Sequence, residues 1–79
     1  MSSEIYERVA RVFRSVLTDQ QMLAFNLEAT MDDVDGWDSL SFLSTIVGLE
    51  HEFGVRIDGL DAINLTSVAN IITFVQSKS

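Results

Sequence analysis

The sequence lacks cysteine and proline altogether, and it holds one histidine, one tryptophan and four glycines among 79 residues. Without cysteine there is no disulfide, no thiolate metal site and no thiol chemistry carried by the polypeptide itself. Without proline, nothing forces a kink inside a helix. Basic residues are scarce: five Lys and Arg against twelve Asp and Glu leave a net charge of −7. That balance argues against nucleic acid, whose affinity comes largely from cations on phosphates, and favours partners with basic surfaces. No apolar run approaches the roughly 20 residues that a membrane-spanning helix needs. The opening MSSEIYERVARVF mixes charged and apolar positions and does not read as a signal peptide, so a cytoplasmic location is expected.

What is present suits one small helical domain over residues 1–79. Hydrophobic residues make up 47% of the chain, enough for a core and too many for a disordered tail. A domain of this size buries only about 60% of its unfolded surface, so its stability margin is narrow. Ser2 or Ser3, followed by Glu4 and Glu7, can cap a first helix. Ile5, Val9, Val12, Phe13 and Val16 then recur with the helical period, while Arg8, Arg11 and Arg14 fall mostly off that stripe and are expected to face water. This helix is expected to end near Leu17 or Thr18. Residues 19–38 carry scattered apolar residues and no period, which predicts a long, mostly irregular loop pinned by Met22, Leu23, Phe25 and Leu27. Loops of this length are uncommon in compact domains and often functional. Ten of the twelve acids lie between Asp19 and Asp61, so the charge is lopsided.

Asp38 is a good N-cap for a second helix that Gly54 is placed to end. Within it, Phe42, Ile46, Leu49 and Phe53 form a core stripe, and Leu40, Leu43 and Val47 a second apolar strip beside it. Gly48 inside the helix is expected to weaken it by about 1 kcal/mol relative to Ala. The GVRI segment (residues 54–57) reads as an extended connection, and residues 61–65 as a short helical turn. Thr66 or Ser67 then caps a last helix with Val68, Ile71, Ile72 and Val75 inward. The fold class is all-α.

One serine stands in an unusual place. Ser39 follows Asp38 at the start of the second helix, the position of a reactive hydroxyl, yet the machinery of a nucleophile is missing. The one histidine, His51, lies along the same predicted helix at roughly 18 Å. A capping carboxylate that accepts backbone N–H bonds is a poor base, and there is no G-x-S-x-G elbow. The chain is therefore not expected to be an enzyme. The acid-rich DDVDGWD also fails as a calcium loop: with Gly36 at its sixth position, Met31 and Phe42 would stand where the first and last ligands belong. No metal site is expected. His51 is expected to be solvated, and Trp37 to tie the loop to the core.

GWDSL (residues 36–40) and LEHEFGVRI (residues 49–57), in a chain of this length and acidity, resemble the acyl carrier protein family. The resemblance runs over nearly the whole chain. It implies a small four-helix bundle with a long first loop and a short third helix. It further implies a 4′-phosphopantetheine arm on Ser39, flanked by Asp38 and Leu40 and added from coenzyme A by a separate phosphopantetheinyl transferase. Acyl groups would ride on the arm as thioesters. By the same analogy Asp38 helps hold magnesium in the transferase complex. Such an arm would supply the thiol that a cysteine-free chain lacks, and its phosphodiester would sit at a helix N-terminus, where unpaired N–H groups and the macrodipole favour an anion.

The chain departs from the family where partners dock. The positions just after the motif, acidic in many members, are Ser41, Phe42 and Ser44 here. Leu43, Val47 and Glu50 are the expected partner contacts. Acyl-loading and acyl-processing enzymes with basic or apolar docking patches are the expected partners, and a monomer is expected. Peptidyl carriers more often have a second glycine before the motif, where this chain has Trp37, so an acyl cargo is favoured over an aminoacyl one. The departures point to a specialised pathway. A competing reading is an unmodified acidic helical interaction module.

Overall fold

The apolar stripe of the first segment forms α1, Ser2–Arg14, in a computed structural model that describes residues 2–78, and of Ser2 and Ser3 only the backbone. The expected capping by Ser2 or Ser3 therefore lies outside what is described. Val9, Ala10, Val12 and Phe13 are buried, and Ile5 and Val16 pack against that core. The helix ends at Arg14, earlier than the pattern predicted. Ser15 N–H and Oγ both donate to the Val12 carbonyl, which closes the last turn.

Arg8 does not simply face water. Its Nε donates to Glu52 Oε2 at 2.9 Å, its Nη2 donates to the Glu52 carbonyl at 2.6 Å, and its guanidinium lies 4.4 Å over the Phe53 ring. Arg11 stands 3.8 Å from the same Glu52 oxygen, and Arg14 the same distance from Glu7. Each arginine of α1 thus has an acidic neighbour within the chain, although Arg11 and Arg14 stay exposed.

Residues 19–38 are mostly turns and irregular backbone, as expected, with one helical turn among them. Thr18 caps a one-turn helix, α2 (Asp19–Met22), in a reciprocal capping box with Gln21. Consecutive turns follow, closed by Phe25 N–H to Met22, Ala29 to Asn26, Asp33 to Thr30 and Trp37 to Val34 carbonyls. Backbone bonds from Met31 N–H to the Thr66 carbonyl and from Val68 N–H to the Ala29 carbonyl then stitch the segment to the far end of the chain. Phe25 is buried and Met22 partly buried, as expected, but Leu23 and Leu27 are exposed. Ala29, Val34 and Trp37 anchor the segment instead.

The second long helix, α3 (Ser39–Phe53), runs from N-cap Asp38 to C-cap Gly54, whose φ of 64° suits a residue without a side chain. Ile46 and Leu49 are buried, while Phe42 and Phe53 are half-buried at the core's edge. Thr45 is the buried residue that the stripe missed; its Oγ1 donates to the Phe42 carbonyl, which makes a hydroxyl tolerable there. Gly48 has a packing reason: a Cβ there would stand 2.7 Å from Val12 Cγ1, so the glycine lets α1 and α3 approach closely.

Gly54 closes α3 in the left-handed region, and residues 55–57 form a connection without regular secondary structure. Asp58 caps α4 (Gly59–Ala62) by accepting from Asp61 N–H, so this one-turn helix starts two residues earlier than expected. Ser67 caps α5 (Val68–Lys78) by accepting from Asn70 N–H, and Val68, Ile71, Ile72 and Val75 are buried. α1 packs against both α3 and α5. The fold is all-α, with three long helices and two single turns among the described residues. Among the described residues no helix is long and apolar enough to cross a membrane.

Candidate functional site

The junction of the long loop with α3 is built outward from the core. Trp37 is 2% exposed and meets Phe13 edge-on, with ring centroids 4.7 Å apart. Phe13 also packs on Phe25 at 4.8 Å, and Phe25 on Tyr6 at 5.8 Å. Such pairs contribute about 0.5–1.5 kcal/mol each beyond simple burial. The tryptophan therefore fixes the chain two residues before Ser39. Its indole Nε1 is buried with no hydrogen-bond partner among the described residues.

One residue before Trp37, Gly36 has a φ of +88°, a region that residues with side chains rarely occupy. A Cβ there would also stand 2.6 Å from the Gln21 side chain, which the Thr18 capping box holds in place. Gly36 and α2 thus set the backbone's approach to the helix.

Asp38 then caps α3. Its Oδ1 accepts from Leu40 N–H at 3.0 Å and from Ser41 N–H at 3.2 Å. The Asp38 cap expected from the sequence is thus in place, and it takes these two amides. Ser41 completes the reciprocal half: its Oγ accepts from Asp38 N–H at 2.9 Å and donates to the Gly36 carbonyl. Ser39 occupies the first helical position, exposed, and its hydroxyl makes no hydrogen bond with any described residue.

The expected partner residues divide. Leu40, Leu43 and Val47 are 87%, 69% and 51% exposed and share one face of α3 by their spacing of three and four. Glu50 is half-buried, and its Oε2 accepts from Ile57 N–H at 2.7 Å, which clamps the turn after α3. That oxygen is committed within the chain, while the carboxylate keeps its charge. His51 is exposed.

Sequence reasoning missed Ser41 and Gln21 as positioning residues, and Leu60 and Ile63 as exposed apolar residues on and just after α4. The spacings Asp38-x-x-Ser41 and Thr18-x-x-Gln21 were legible as capping boxes and would have found the first two.

Ser39 is thus an exposed serine at a helix start with no hydrogen-bond partner among the described residues. The family described as "Phosphopantetheine attachment site" matches residues 7–75. The chain belongs to the acyl carrier protein family. It is 33% identical over 75 residues to an acyl carrier protein of Buchnera aphidicola subsp. Acyrthosiphon pisum (strain 5A), covering 95% of this chain and 92% of that protein. To an acyl carrier protein of Thermotoga maritima it is 27% identical over 75 residues, covering 95% and 91%. This carrier is not an enzyme but holds acyl groups on a phosphopantetheine prosthetic group, and it works with biosynthetic enzymes.

Proposed function

We propose that Ser39 is the residue that bears the 4′-phosphopantetheine arm. The observation that carries this reading is the exposed Ser39 hydroxyl, unpaired at the first position of α3, directly after a cap that is itself satisfied. When attached, the group supplies a thiol for thioester bonds, which the cysteine-free chain cannot. The chain's own residues present the hydroxyl. Trp37 and Gly36 fix the approach, Asp38 holds the helix start, and Leu40 flanks the serine as an exposed apolar contact. Asp38 uses Oδ1 for the cap, and its Oδ2 makes no hydrogen bond with a described residue. That oxygen is suited to help hold a magnesium ion brought by a transferase. The anion-favouring element at Ser39 is the helix dipole rather than the amides of Leu40 and Ser41.

Intact-mass measurement after incubation with coenzyme A and a broad-specificity phosphopantetheinyl transferase tests the assignment. Wild type is expected to gain one phosphopantetheinyl group and Ser39→Ala none, with Ser39→Ala still folded because Asp38 remains as cap. A gain of mass by Ser39→Ala would overturn the assignment.

The exposed strip of Leu40, Leu43 and Val47 supports a partner that reads apolar surface more than charge, and an acyl pathway outside bulk fatty acid synthesis. Ser44, also exposed, is the neutral position on α3 that can be changed without disturbing the cap. Enzymes of general fatty acid synthesis are expected to load wild type poorly and Ser44→Glu better, because an added carboxylate strengthens attraction to basic docking surfaces. Efficient loading of wild type would end the specialisation reading.

A further inference from the structure

Ser41 does more at the attachment site than leave a charge out. Its single hydroxyl binds both residues that flank Trp37: it accepts from the N–H of Asp38 and donates to the carbonyl of Gly36. It thereby ties the last turn of the loop to the first turn of α3 at a point where the backbone is already constrained by the positive φ of Gly36. The residue between these two ties is the buried Trp37, and the residue after them is Ser39. A carboxylate at position 41 could accept from Asp38 N–H but could not donate to the Gly36 carbonyl, whereas the hydroxyl makes both bonds through one atom.

We propose that Ser41 is a positioning residue for phosphopantetheinyl transfer: by bridging Asp38 and Gly36 it holds Ser39 Oγ in the geometry that the transferase needs. The proposal rests on Ser39 being the attachment residue. In that reaction Ser39 Oγ forms a bond to the pantetheine-bearing phosphorus of coenzyme A. The P–O bond of the pyrophosphate breaks, adenosine 3′,5′-bisphosphate leaves with the electron pair, and the serine proton passes to a base of the transferase or to water. In-line displacement is sensitive to the placement of the attacking oxygen, and a misplacement of about 1 Å can cost about 10²-fold in rate. Ser41 does not touch the reacting atoms. It acts through the backbone on either side of Trp37.

The test uses the full chain and compares Ser41→Ala, Ser41→Thr and Ser41→Asp with wild type and Ser39→Ala. Ser41→Ala keeps both Asp38 cap bonds to the amides of residues 40 and 41, so the helix start persists. Its kcat as transferase substrate is expected to fall about tenfold, with KM for the carrier within about twofold. Exchange of the Asp38 amide with deuterium is expected to speed up about tenfold, a readout independent of any transferase. Ser41→Thr keeps the hydroxyl and is expected to restore kcat to within about twofold of wild type. Ser41→Asp, which can keep the bond from Asp38 N–H but not the one to Gly36, is expected to lose kcat as Ser41→Ala does while its Asp38 amide stays protected. An unchanged kcat for Ser41→Ala overturns the proposal, even if its melting temperature drops, because a merely stabilising role would leave the folded substrate competent. Failure of Ser41→Thr to rescue, or wild-type kcat in Ser41→Asp, overturns it as well. A wild-type chain that gains no mass overturns the Ser39 assignment and the proposal with it, whereas a modified wild type beside an indifferent Ser41→Ala overturns the positioning role alone.

Discussion

Trp37→Phe is the most informative perturbation of the core because two opposing terms meet at one side chain. Trp37 is 2% exposed and packs edge-on against Phe13, while its Nε1 is buried without a partner among the described residues. Replacing the indole by a phenyl ring removes two buried ring carbons, about 1.5 kcal/mol at roughly 0.8 kcal/mol per buried CH2. The remaining void adds to that cost. Against it, the substitution removes a donor whose burial without a bond costs about 1–3 kcal/mol. The net expectation is a loss of no more than about 1 kcal/mol. Trp37→Ala loses the ring outright and is expected to cost about 3–5 kcal/mol. That is comparable to the whole stability of a small domain, about 0.05–0.15 kcal/mol per residue. Urea unfolding followed by far-ultraviolet circular dichroism measures both, with equal m-values as the condition for comparison. If Trp37→Phe costs as much as Trp37→Ala, the indole N–H is making a strong bond and the orphan assignment is wrong.

Other perturbations test the remaining elements. Gly36→Ala places a Cβ against Gln21 at a φ of +88°, so it is expected to destabilise by about 1–3 kcal/mol in the same urea assay and to slow transfer to Ser39; wild-type stability would refute the constraint. Phe53→Ala removes a half-buried ring beneath Arg8, so the chain is expected to stay folded with a loss of about 1–2 kcal/mol, below the cost of a fully buried phenylalanine; a collapse of the helical signal would show that Phe53 carries the core. Tyr6 has its pKa raised above 10.0, first by desolvation and then by the nearby Glu7 charge. The folded state thus disfavours the phenolate, and Tyr6's contribution to stability is expected to be present below pH 10.0 and to fade as pH rises through its higher folded value; in Tyr6→Phe that alkaline loss should shrink, as urea midpoints measured across pH would reveal.

The sequence was most readable where burial and period coincide. Val9, Val12 and Phe13 on α1, Ile46 and Leu49 on α3, and Val68, Ile71, Ile72 and Val75 on α5 lie where the helical spacing put them. The Asp38 cap and the Gly54 stop were readable because their chemistry is local. Tertiary contact decided what was not. Arg8 is off the apolar stripe, yet Glu52 and Phe53, distant in sequence, capture it. Leu23 and Leu27 are as apolar as Phe25, but consecutive turns give no fixed face, so composition alone could not tell which residue enters the core. Glu50 looked like one more surface acid until the chain returned Ile57 N–H to it. At the site, Ser39 stood out by its position and the missing base, whereas Ser41 was judged by the charge it lacked and not by the two bonds its hydroxyl makes.

The central claim is that Ser39, and no neighbour, takes the arm. Three serines lie close together in this segment, Ser39, Ser41 and Ser44, so an intact mass alone does not separate them. Tandem mass spectrometry of the peptide that contains them, from wild-type chain treated with coenzyme A and transferase, is the direct measurement. The account predicts the phosphopantetheinyl group on Ser39 alone, since Ser41 Oγ is engaged by Asp38 and Gly36 and Ser44 lies beyond the first turn of α3. A group found on Ser41 or Ser44, or none on the peptide, would contradict it.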